Sequence, residues 1–144
     1  MAVVSTLSNH AKYKIMKGEI DFSTDEFRAI LMQDSFAFDK DAHATYLLVS
    51  GEEIPTGNGY SARGIELLSG ELTEDDTNDN GSMVWSHNPT WTASGGSIGP
   101  VGAAVIFDET SSDDTVIGCV DFGTDYTATE GLSIQVMSGE LSIS

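Results

Sequence analysis

The chain predicts an all-β protein, an antiparallel jelly-roll-like β-sandwich with one short N-terminal helix. Three observations carry that expectation. Short apolar runs recur between turn signals from Ile65 onward, the spacing of a sandwich. Fifteen glycines and frequent Ser and Thr favour turns and strands over long helices. Only residues 8–18 combine helical caps with helical spacing.

In that first segment Ser8 or Asn9 can cap the opening turn, and Gly18 closes it where a left-handed backbone is favoured. Ala11 and Ile15 share one face at i, i+4. Lys14 and Lys17 are neighbours at i, i+3 and are expected to turn away from that face, either solvated or touching an acidic partner.

From Asp25 to Gln33, Phe27, Ala29 and Leu31 alternate with Arg28, Ile30 and Met32, which predicts a strand buried largely on both sides. The stretch from Asp41 to Ser50 fits a short helix or an extended connection. Ile54 to Tyr60 is turn chemistry, with Pro55 and Asn58-Gly59.

Six apolar runs follow: Ile65 to Leu72, Ser82 to His87, Thr90 to Ala93, Val101 to Phe107, Thr115 to Phe122, and Leu132 to Met137. In the last of these, Leu132, Ile134 and Val136 alternate with Ser133 and Gln135. A final run, Gly139 to Ser144, alternates Leu141 and Ile143 with serines. No linker or internal repeat interrupts the chain, so residues 1–144 read as one domain.

Charge is unevenly placed. Residues 64–144 hold 14 acids and no lysine or arginine, whereas residues 1–63 hold all six cations against nine acids. A formal net charge of −17 repels polyanions and anionic lipid, which argues against nucleic-acid and membrane partners. No apolar run approaches the roughly 20 residues of a membrane helix. The opening Met1-Ala2-Val3-Val4-Ser5 has no basic n-region, which predicts no signal peptide and folding in a reducing cytoplasm. The single cysteine, Cys119, lies in an apolar run and reads as a small buried hydrophobe.

Motifs with chemical meaning fail on context. Gly95-Gly96-Ser97-Ile98-Gly99 has the letters of a nucleophile elbow, but Pro100 and a β-type run follow it. All three histidines precede Ser97, which breaks the hydrolase order of Ser, acid, His. Gly57-x-Gly59-x-x-Ala62 lacks the strand-turn-helix setting of a dinucleotide loop and reads as a hairpin or bulge. Asp76-Thr77-Asn78-Asp79-Asn80-Gly81 matches half of a calcium loop, yet its twelfth position is His87. Solvated acidic turns are the favoured reading there. A weak hydrated calcium contact, at this loop or where Asp108-Glu109 meets Asp113-Asp114, is the alternative. His10, His43 and His87 show no metal-ligand spacing. Trp85 and Trp91 suit core packing at a strand corner, with a sugar-stacking platform as the alternative. No catalytic residue, cofactor or metal is assigned.

Several segments resemble small virion proteins of tailed bacteriophages. They are Trp91 to Pro100, the strand Gly102 to Asp108, Ile117 to Gly123 with the Thr-rich turn after it, and the ending Gly139 to Ile143. The opening fits too, with Ser8-Asn9-His10-Ala11, Gly18 to Phe22, a strand on Phe27, and Asn58-Gly59-Tyr60-Ser61-Ala62. The resemblance spans nearly the whole chain in order. The turn from Asp108 to Thr115 departs from it by being more acidic.

The resemblance implies a jelly-roll-like structural protein of the virion, made in the host cytoplasm, most specifically a capsid decoration or cement protein without catalytic residues. Its implied partners are the major capsid protein and further copies of itself. With the acidic body facing outward, the expected shell contact is an N-terminal arm, residues 1–18, through Val3, Val4 and Leu7 with Lys12, Lys14 and Lys17. The alternative is a tail or fibre-associated protein binding a host surface glycan, which requires an exposed Trp85 or Trp91.

Overall fold

Two hairpins of consecutive strands combine with pairings between strands remote in sequence, and the fold follows from those pairings. A computed structural model describes the backbone of residues 4–136 and 140–143, and the side chains of residues 5–136. Strand β1 (Val4–Leu7) runs directly into helix α1 (Asn9–Met16) because Ser8 ends one and caps the other. Ser8 has extended backbone angles, and its Oγ accepts a hydrogen bond from the Ala11 amide at 2.9 Å. Past the helix, Gly18 takes φ 76°, the left-handed closure its position predicts.

Strand β2 (Phe27–Gln33) follows, then helix α2 (Tyr46–Val49) with a 3₁₀ turn (Ser50–Glu52), which selects the helical option for residues 41–50. The remaining strands are β3 (Ile65–Leu67), β4 (Gly70–Asp75), β5 (Asn80–Trp85), β6 (Thr90–Thr92), β7 (Ile98–Asp108), β8 (Val116–Ala128), β9 (Ser133–Gln135) and β10 (Glu140–Ile143). All pairings among them are antiparallel. They form a five-stranded sheet, β1-β8-β7-β2-β3, a three-stranded sheet, β10-β5-β4, and a two-stranded ribbon, β6-β9.

The large sheet is covered on both faces. Phe27, Ala29 and Leu31 of β2 join Trp85, Trp91 and Ile134 of the smaller sheets in the main core. Ile30 and Met32 face the other way, into a second cluster with Val49, Val105 and Phe107. This two-sided burial is what the alternating apolar residues of β2 predict.

The run from Ile65 to Leu72 departs from its expected single strand. It divides into β3, paired with β2 in the large sheet, and β4, paired with β5 in the second sheet. Between them Ser69 adopts φ 58°, turning the chain from one layer to the other. Leu132 also departs from its run, staying exposed while Ile134 and Val136 enter the core. Met137, and the ends of the last run at Gly139 and Ser144, lie outside the described residues.

Candidate contact surface

Helix α1 presents an outward stripe that combines cations with exposed apolar surface. Lys12, Tyr13, Met16 and Lys17 are all exposed, with Met16 at 88% and Tyr13 at 56%. The Lys17 ammonium lies 5.1 Å from the centre of the Tyr13 ring and 2.6 Å from Glu19 Oε1. Lys12 makes no ion pair among the described residues. The opposite side of the helix is anchored by Ala11, fully buried, and by Ile15 against the main core.

Two of the expected contact residues turn inward. Leu7 sits in the main core at 8% exposure, because β1 is an edge strand of the large sheet, paired with β8 from Val4 to Leu7. Within the expected contact arm of residues 1–18, residues 4–16 are thus built into the sheet and its flanking helix. Lys14, expected to point away from the buried face, is only 12% exposed. It donates to Glu19 at 2.7 Å and lies 3.9 Å from Asp113. The Glu19 hydrogen bond raises the Lys14 pKa against the opposing cost of desolvation. Val3 and the side chain of Val4 lie outside the described residues. Tyr13 and Met16 are the contact candidates the sequence reading missed; the i, i+3 relation of Tyr13 to Met16 was their only signal.

The turn between β7 and β8 supports this helix. Asp113 accepts from His10 Nε2 at 2.8 Å and from Thr115 Oγ1 at 2.5 Å. Burial works against the Asp113 carboxylate, yet Thr115, His10 and Lys14 together hold its pKa below the usual range. Farther round the turn, Arg63 pairs with Glu109 at 2.9 Å and Asp114 at 3.2 Å. Arg28 reaches Glu109 at 3.3 Å and Glu26 at 3.2 Å. The acidic 108–115 segment is therefore cross-linked to the body by both arginines of the chain.

The other tested motifs resolve as structure. Asp75 accepts from the amides of Thr77 and Asn78, making the β4–β5 connection a tight acidic hairpin. Among the described residues no group of three or more His, Cys, Asp or Glu side chains is placed to hold a metal ion. Gly57 and Tyr60 close a tight turn through reciprocal backbone bonds at 2.8 and 3.0 Å. Ser97 sits in the loop before β7, its carbonyl accepting from Asn58 Nδ2 at 3.1 Å. Trp85 and Trp91 are both buried in the main core, so the stacking platform is absent from their positions. Burial pushes the Cys119 thiol up to about 12, as befits a packed small side chain.

One buried carboxylate organises the segment that runs beside β2, where Glu53 bridges to Met32. Glu53 accepts from Tyr46 Oη at 2.5 Å, Tyr60 Oη at 2.7 Å and the Arg63 amide at 2.9 Å. Tyr60 Oη in turn accepts from the Leu31 amide at 3.0 Å. Every polar group in this cluster is engaged, and it ties the 53–63 segment to β2.

No protein-family model matches the chain, and no curated protein or solved structure matches it either.

Proposed function

We propose that the chain is a structural, non-enzymatic protein of a tailed-phage particle: a decoration protein that binds the outside of the shell and bridges neighbouring capsomers. The observation that carries this reading is the outward stripe of α1, a cationic and apolar surface held on an otherwise acidic β scaffold. Exposed apolar anchors beside charge are the composition of protein contact sites. The resemblance of the chain's segments to small virion proteins supports the same reading.

A shell protein of this kind gains its hold from many modest contacts repeated over a lattice. The antiparallel sheets, with a buried cluster on each face of the large one, suit that task, and a jelly-roll-like winding belongs to this reading. The partners are the major capsid protein and further copies of the chain, without nucleic acid, membrane or cofactor. Synthesis occurs in the host cytoplasm and the mature location is the virion. The glycan-binding alternative loses its best support, because both indoles are buried.

Co-sedimentation with shells that lack the protein tests the proposal. Saturable binding at a fixed copy ratio is expected. Absence of binding to intact shells, under conditions where the protein is folded, would sink it.

A further inference from the structure

We infer that α1 docks Tyr13 and Met16 into an apolar depression of the shell protein, not of a second copy of this chain, and that the rim of this depression carries carboxylates that meet Lys12 and Lys17. The inference rests on the shell-binding reading and adds the chemistry of the surface that is bound.

The four side chains share one helix side, since Lys12 and Met16 are i, i+4, Tyr13 and Met16 are i, i+3, and Tyr13 and Lys17 are i, i+4. Met16 is unbranched and 88% exposed, the kind of side chain that adapts to an irregular apolar hollow. Tyr13 adds a large amphipathic ring with few torsions to freeze on binding. Lys17 already lies over that ring, so cation and ring form one preassembled unit.

The stripe is also rigidly mounted. Ser8 is fully buried and donates to the Val116 carbonyl at 2.5 Å, while its amide donates to the Ile117 carbonyl at 2.9 Å. His10 and Lys14 pin the next turn to Asp113. Docking therefore orders little that is not already fixed, which lowers its entropic cost.

Charge selects the partner. Residues 9–19 contain three lysines and one acid, Glu19, which pairs with Lys14 and Lys17, whereas residues 64–144 contain 14 acids and no lysine or arginine. A basic surface would attract the acidic body and leave α1 facing solvent. An acidic rim repels the body and attracts the helix together with the exposed Lys40, whose carbonyl accepts from the Asn9 amide at 2.9 Å, so it favours the α1 face. The second exposed apolar pair, Leu47 and Leu48 on α2, has no charged residue within its helix and serves as the control.

The test compares full-length wild type with Met16→Ser, the double variant K12Q/K17Q and the control L47S/L48S. Among the described residues all these positions except Lys17 are free of ion pairs, and thermal melts matched to wild type verify folding. Binding to shells lacking the protein is measured at low and high salt. Met16→Ser is expected to weaken binding about tenfold, and K12Q/K17Q about fivefold at low salt, with a shallower salt dependence. L47S/L48S is expected to bind as wild type does.

Wild-type affinity in both α1 variants, with shell binding intact, overturns the inference but leaves the shell-binding reading standing. Loss of binding in L47S/L48S alone has the same consequence. Failure of wild type itself to bind overturns the shell-binding reading and this inference with it. Light scattering of the free protein supplies one further outcome: an oligomer that K12Q/K17Q converts to monomer places a second copy on α1 and overturns the inference.

Discussion

The carboxyl groups of Asp25 and Asp108 face one another at the end of the β2–β7 pair, and Asp108 is fully buried. Asp108 lies opposite Phe27 in the strand register, which brings residue 25 alongside it. Its Oδ1 accepts from the amides of Thr110 at 2.9 Å and Ser111 at 3.3 Å, and Oδ2 finds no hydrogen-bond donor among the described residues. Burial first, and then the Asp25 carboxyl, push the Asp108 pKa up to about 8. At neutral pH the buried Asp108 carboxyl keeps its proton.

Stability should therefore decline as pH rises through this range. The folded pKa lies above the ordinary carboxyl value of 3.8, so the folded chain keeps a proton that the unfolded chain has released. The contribution is complete below about 3.8 and is lost by the time pH passes about 8. Between pH 5 and 8.5 the loss should be on the order of 2–4 kcal/mol, read by urea unfolding. Asp108→Asn, which keeps a donor towards Asp25, should flatten that slope; an unchanged slope would refute the assignment.

Glu53 should be the least replaceable polar side chain of the core. Glu53→Gln turns one acceptor into a donor that faces either the Tyr46 hydroxyl or the Tyr60 hydroxyl and Arg63 amide, and should cost roughly 2–3 kcal/mol by chemical denaturation. Tyr46→Phe removes one partner and should cost only about 1 kcal/mol. Equal costs for the two would show that the cluster does not act through Glu53.

Ser8→Ala should loosen the α1–β8 junction. It removes the helix cap and leaves the buried Val116 carbonyl without its hydroxyl donor. A cost of about 2 kcal/mol is expected, with faster amide exchange at Ala11 than in the wild type. Exchange at Ala11 unchanged in the variant would rule out the cap.

Gly64→Ala should be among the most damaging single changes. Gly64 has φ 62°, and a Cβ there would stand 1.8 Å from the Ala29 carbonyl oxygen in β2. Neither the backbone angle nor the space admits a side chain, so a loss of more than about 3 kcal/mol or a failure to fold is expected. A variant within about 1 kcal/mol of wild type would mean that β3 can shift without cost.

Local order was legible in the chain. The caps of α1, the alternation in β2 and the turn residues between later runs act within a few positions of each other, so reading neighbours suffices. Cys119, Trp85 and Trp91 were likewise readable as core residues, because apolar side chains inside strand-like runs have few other places to go.

What lay beyond that reach depends on contacts between remote segments. The run Ile65 to Leu72 looks uniform, yet it splits because β2 claims its first part and β5 its second. Leu7 is in the core because β8 lies beside it, and Lys14 is held inward because Asp113 and Glu19 meet it there. The raised pKa of Asp108 likewise needs two strands brought into register, which set Asp25 beside it. Local propensity sums over sequence neighbours, whereas the burial and charge of a side chain are set by whichever distant strand or turn packs against it.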